Sequence, residues 1–153
     1  MTEPPVPGAA APEGITITRI FDAPCERLWE EWTEPDRFAD WFGGAEAEVP
    51  VSTVSMDVRE GGALRATMFA GPGRREIQWT GEYREVVKPE RLVFTISDGG
   101  DAELVTVVFT DLDDGRTEML FQQRGHMSAE QYERAGQGWS SFFDRIAERL
   151  AGA

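Results

Sequence analysis

The sequence predicts an α+β fold in which a curved antiparallel β-sheet is covered by a long C-terminal α-helix. Three observations carry this. Between residues 46 and 124, short runs rich in Val, Thr, Phe and Ile are separated by clusters of turn-forming residues. From Tyr132 to Leu150, apolar residues return every third or fourth position, the spacing of one helical face. Ahead of both, residues 15–42 give one alternating strand and then two short helical patterns.

The first strand is read from Ile15, Ile17 and Phe21, which alternate with Thr16, Thr18 and Ile20. Pro24 follows where a first helical turn tolerates proline, and Cys25, Leu28, Trp29 and Trp32 then recur at helical spacing. Thr33, with Pro35 and Asp36 after it, is expected to cap a second short helix carrying Phe38, Trp41 and Phe42, which Gly43–Gly44 stops. Strand segments are expected at 46–49, 52–59, 62–70, 75–87, 91–98, 103–111 and 116–124. The breaks between them, among them Gly71–Pro72–Gly73, Lys88–Pro89–Glu90 and Asp113–Asp114–Gly115, are short. Short turns join antiparallel neighbours, because parallel ones need crossovers of about a dozen residues. The last helix opens on a capping box of Ser128 and Gln131, flanked by Met127 and Tyr132 as a hydrophobic staple. Tyr132, Ala135, Trp139, Phe142, Phe143, Ile146 and Leu150 make its apolar stripe, which the sheet needs to cover its own apolar face.

At 153 residues the chain is sized for one domain, placed at residues 14–151 behind a Pro-, Ala- and Gly-rich leader (1–13) expected to be disordered. The leader has neither the basic head nor the apolar run of a secretory signal. No stretch approaches the ~20 apolar residues that span a bilayer. One cysteine, Cys25, leaves no internal disulfide, and a cytoplasmic location is expected. A formal net charge of −13 argues against nucleic-acid and membrane-surface partners, because both present anions.

Little in the sequence reads as reaction chemistry. One His and one Cys do not make a metal site, and the Asp111–Gly115 run reads as a hairpin turn. Gly71 and Gly73 lack the rest of a phosphate loop. No cofactor, metal or catalytic residue is assigned. His126, beside the Ser128 cap, reads as a loop histidine, and Cys25 as a packing residue. Tyr83, Gln123 and Glu85 are the polar candidates for the inner side of the sheet, with Glu85 the candidate acid or base. Gly136 and Gly138 stand mid-helix, where each costs about 1 kcal/mol against Ala, and mark either close packing or room for a guest.

The stretch FDAPCERLWEEWTEPDRFADWF resembles the opening motif of the heat-shock-protein-90 ATPase activator homologue-like family. The matching residues are Ala23–Pro24, Leu28–Trp29, Trp32–Thr33, Pro35 and Trp41–Phe42. Asp57–Val58–Arg59 with Gly61–Gly62, Gly81–Glu82–Tyr83, Pro89 to Phe94 and Gly138–Trp139 follow in the family's order. The resemblance covers residues 15–150 and implies the helix-grip fold of the START-like, or Bet v 1-like, superfamily, with a cavity between sheet and helix. The eukaryotic activators carry a separate N-terminal domain, in whose place this sequence shows the short leader.

The resemblance implies three functions. The first is binding of an apolar or aromatic small molecule in an internal cavity, by Trp41, Phe42, Met68, Trp79, Tyr83, Phe94, Met119, Phe121, Gly136, Trp139 and Phe143. Trp29 and Trp32 are expected to brace the first helix, and Trp41 and Phe42 to close one mouth of the cavity. The second is a chaperone-regulator interaction module, with a chaperone or other protein as partner and a place in the stress response. The third is an enzyme of the polyketide cyclase or aromatase kind.

Overall fold

Alternation dictates the sheet. In β7 (Glu103–Asp111) and β8 (Thr117–Arg124) every second side chain is buried, so Val105, Val107 and Phe109 share one face with Thr117, Met119 and Phe121. The computed structural model describes residues 14–44 and 47–151; the expected leader, residues 1–13, lies outside them. Before β7 come β1 (Gly14–Phe21), α1 (Cys25–Thr33), α2 (Pro35–Trp41), β2 (Ala47–Glu48), β3 (Ser55–Met56), β4 (Ala63–Ala70), β5 (Arg75–Val87) and β6 (Arg91–Ile96); after β8 comes α3 (Ala129–Ala151). The strands form one sheet in the order β1-β8-β7-β6-β5-β4-β2, with β3 also on β4 and every pair antiparallel. This is the helix-grip arrangement, with α3 lying against the inner face.

The capping box closes as its residues demand. The Ser128 amide donates to Gln131 Oε1 at 2.8 Å, and the Gln131 amide to Ser128 Oγ at 3.1 Å. Tyr132, Trp139, Phe143 and Ile146 then bury one stripe of α3. Trp32 stands at the centre of the aromatic core, with ring centroids 4.8 Å from Trp41 and 6.3 Å from each of Phe94, Phe121 and Trp139. Trp29 meets Phe109 edge-on, so both indoles of α1 brace it on the sheet.

Charge fastens the far end of α3. Glu31 is fully buried on α1 and accepts from Arg27 Nη1 at 2.5 Å, Arg149 Nε at 2.7 Å and Arg149 Nη2 at 3.2 Å. Arg149 also reaches Asp40 on α2. A buried carboxylate is held only with such partners. At the open edge, Arg19 of β1 donates to the Ser140 carbonyl (3.0 Å), Ser140 Oγ (2.9 Å) and Asp144 (2.8 Å), tying α3 to the edge strand.

Two local expectations are corrected. Thr33 does not cap α2; it ends α1, its hydroxyl bonding back to the Trp29 carbonyl at 2.8 Å, and Glu34 is the N-cap with Pro35 first in the helix. The expected strand 52–59 is a 3₁₀ turn (Val51–Thr53) followed by the two-residue β3.

Candidate functional site

The apolar stripe of α3 is wider than the sheet fills. Ala135, Gly138, Trp139 and Phe142, spaced three and four apart, face a hollow in two lobes. The apolar lobe, about 170 Å³, is lined by those four residues with Phe42, Met68 and Trp79. The polar lobe, about 330 Å³, shares Trp79, Ala135 and Trp139 and adds the β6–β7 loop (Ser97, Asp98, Gly100, Asp101), Glu103, Gln123 and His126. Gly138 helps make the room: a methyl there would meet nothing within 4 Å.

The polar lobe is ordered by one directed chain of hydrogen bonds. An indole N–H only donates. Trp139 Nε1 donates to Gln123 Oε1 at 2.8 Å, which turns the Gln123 amide nitrogen toward Glu103 Oε1, 3.1 Å away. Tyr132 donates its hydroxyl to the same oxygen at 2.9 Å. Glu103 Oε2 accepts from the His126 backbone N–H at 2.9 Å and lies 2.7 Å from His126 Nδ1. Glu103 thus accepts three hydrogen bonds, two on Oε1 and one on Oε2, with His126 Nδ1 in close contact beside the second oxygen.

Gly125 makes this approach possible. The β7–β8 register pairs Leu104 with Arg124, which sets Gly125 beside Glu103, and a Cβ on Gly125 would lie 2.1 Å from Glu103 Oε2. Burial and the bond to Glu103 hold the Tyr132 phenol above its ordinary range, keeping it a donor. Trp79, which lines both lobes, has a buried indole Nε1 with no hydrogen-bond partner among the described residues.

The model of the family described as activator of Hsp90 ATPase homolog 1-like protein matches residues 22–151. The chain belongs to this family. Among solved structures, the AHSA1-like chain is similar to a protein from Chromobacterium violaceum at TM-score 0.83 and 23% identity, covering 91% of this chain and 97% of that one. It is similar to an AHSA1 protein from Silicibacter pomeroyi at TM-score 0.78 and 22% identity, covering 90% and 97%. A third, from Mycobacterium smegmatis, gives TM-score 0.73 and 25% identity, covering 92% of each. These likenesses establish a shared fold. No curated protein matches the chain. No helix among the described residues is long and apolar enough to cross a membrane.

Four residues expected at the ligand wall of this AHSA1-like protein line the hollow: Phe42, Met68, Trp79 and Trp139. Trp41, Tyr83, Phe94, Met119, Phe121 and Phe143 do not line either lobe and pack in the core. Trp41 stands behind Phe42, not at a mouth, its indole donating to the Glu31 carbonyl at 2.8 Å. Gly136 faces the other side of α3, in a groove beside β1 where an added Cβ would lie 3.7 Å from Ile15 Cγ2. Glu85 points to solvent and pairs with Arg91 at 2.7 Å, away from the inner face where it was sought. The sequence singled out Gln123 correctly for the inner face, but overlooked Glu103 and Gly125. Their signal is parity: Glu103 is in phase with Val105, Val107 and Phe109 on an alternating strand.

Proposed function

We propose that this protein binds a small molecule with an apolar or aromatic body in the two-lobed hollow between α3 and the sheet. The observation that carries the proposal is the buried Trp79 Nε1–H, unpartnered on a wall common to both lobes. A buried donor left without an acceptor costs about 1–3 kcal/mol, which a guest carrying an acceptor relieves. The aromatic and methionine lining suits a flat apolar body, and the polar lobe alone reaches the size of a small-molecule site, to which the apolar lobe adds. Asp98 and Asp101 edge the polar lobe, and the chain's net charge is −13, so neutral or cationic guests are favoured over anions. The lone thiol of Cys25 suits a reducing cytoplasm.

The test is a titration with N-phenyl-1-naphthylamine, a neutral probe that brightens in apolar surroundings. Saturable brightening is expected, lost or weakened at least ~10-fold in W79A, with a carboxylated analogue binding more weakly than the neutral probe. Absence of saturable binding, or equal binding by W79A, would sink the proposal. A second function, docking to a chaperone, is favoured by the family's description. Co-purification of a chaperone with a protein that takes up no probe would move the choice to it.

A further inference from the structure

We propose that His126, held by Glu103, is a general acid–base that moves a proton on the molecule bound in this hollow. The inference rests on the hollow being a binding site. Its starting point is the direction of the hydrogen bonds. The Trp139 indole fixes the Gln123 amide, and three donors hold the Glu103 carboxyl with its Oε2 2.7 Å from His126 Nδ1. With the ring proton on Nδ1, toward Glu103 Oε2 2.7 Å away, Nε2 is left free. The His126 side chain lines the polar lobe and is 47% exposed, so Nε2 is open to a guest while Nδ1 is engaged. When Nε2 takes a proton, the imidazolium that forms lies against the Glu103 carboxyl. The other charged groups facing the lobe are Asp98 and Asp101 on its rim.

A base alone does not define a reaction; a place for the resulting negative charge completes it. Of the three buried polar atoms without a partner among the described residues, Trp79 Nε1 is the one whose residue lines this hollow; it is a donor, and a small turn of the indole brings it to a guest. A base and a lone donor in one apolar-backed hollow fit a carbonyl compound with an acidic C–H beside the carbonyl. His126 Nε2 takes the proton from that carbon. The C–H electron pair becomes the carbon–carbon double bond of an enolate, and the carbonyl π pair moves onto oxygen, where the Trp79 indole donates to it. Return of the proton from Nε2, to the same carbon or one further along a conjugated chain, regenerates the carbonyl. The net change is an epimerisation or a double-bond shift, and no co-reactant is consumed. Glu103 is a positioning residue in this scheme.

The probe for the test is 5-nitrobenzisoxazole, a neutral aromatic. A base removes its ring proton, the C–H pair forms a nitrile, and the N–O bond breaks to release a coloured phenolate. Saturable acceleration over free imidazole is expected, with kcat falling roughly 100-fold or more in H126A. His126 is half-exposed on a loop and its backbone N–H survives the substitution, so H126A keeps its fold, and H126Q provides a second check. Probe binding is followed in parallel by displacement of N-phenyl-1-naphthylamine, so that turnover is compared at equal fractions of bound probe. The chain has a single His, so one imidazole ¹⁵N spectrum reports the tautomer without ambiguity. It should show Nδ1–H in the native protein and lose that preference in E103Q and in G125A, where the added methyl displaces the carboxylate. A probe that binds without acceleration, or that H126A turns over like the parent, overturns the proton-transfer inference and leaves binding standing. A native spectrum showing Nε2–H does the same. A protein that does not bind the probe overturns both.

Discussion

A carboxylate on the inward face of a sheet is stable only where donors replace the water it has lost. Glu103 meets that condition through Gln123, Tyr132 and the His126 backbone N–H, and Tyr132 in turn keeps its proton because it is one of those donors. Tyr83, buried with Asp57 nearby, holds its phenol still higher. These are the chain's two tyrosines. Both bind their protons more tightly folded than unfolded, so this share of stability is complete below the ordinary tyrosine pKa of about 10 and is lost as pH rises beyond it. An alkaline titration should show almost no tyrosinate absorbance until the fold is lost, then ionisation of both together with the collapse of ellipticity. Tyrosinate forming in still-folded protein near the ordinary pKa would contradict this. At this scale the sequence was only partly legible. Gln123 announced itself as a polar residue in phase with Met119 and Phe121. Glu103 did not, because a glutamate opening a strand reads as a surface residue unless its partners on β8 and α3 are known, and those lie 20 or more positions away.

Among the elements, α3 does two jobs with one stripe. Tyr132, Phe143 and Ile146 fill the core, while Ala135, Gly138 and Phe142 stand back from the sheet and leave space. Gly138 separates these roles experimentally. Its added methyl meets open space, so Gly138→Ala should raise stability by about 1 kcal/mol through helix propensity alone. That corresponds to a Tm about 2–4 °C higher for a chain of this size. Binding of N-phenyl-1-naphthylamine should weaken at the same time. A stabilised variant with unchanged affinity would place the guest outside the apolar lobe. The periodicity of α3 and its capping box could be read directly, because both depend on residues within one turn of each other. The start of α2 could not: Thr33 had two acceptable partners, and the carbonyl of Trp29 behind it won over the amides ahead. The strand expected at 52–59 shrank to Ser55–Met56 because a 3₁₀ turn at Val51–Thr53, whose Thr53 hydroxyl bonds the Pro50 carbonyl at 2.7 Å, takes up the chain first.

For the whole molecule, the excess of 28 acidic over 15 basic side chains is a cost of charge crowding. Salt screens that crowding over roughly 8–10 Å at about 0.1–0.15 M, so Tm should rise between low and physiological ionic strength. A fall would mean that ion pairs such as those around Glu31 outweigh the general repulsion, and thermal unfolding across a salt series decides it. The architecture at this scale was the most legible, since period two through β4–β8 and period 3.6 through α3 leave few other ways to bury both apolar faces. The shape of the hollow was not, because it arises from where side chains fail to meet. That shape has a consequence of its own. The wall common to the two lobes consists of two indoles and one methyl, those of Trp79, Trp139 and Ala135. On the proposed binding, a guest that occupies both lobes would lie across this boundary and be gauged by girth more than by length. Slender, planar molecules should then enter, and branched ones of the same mass should not.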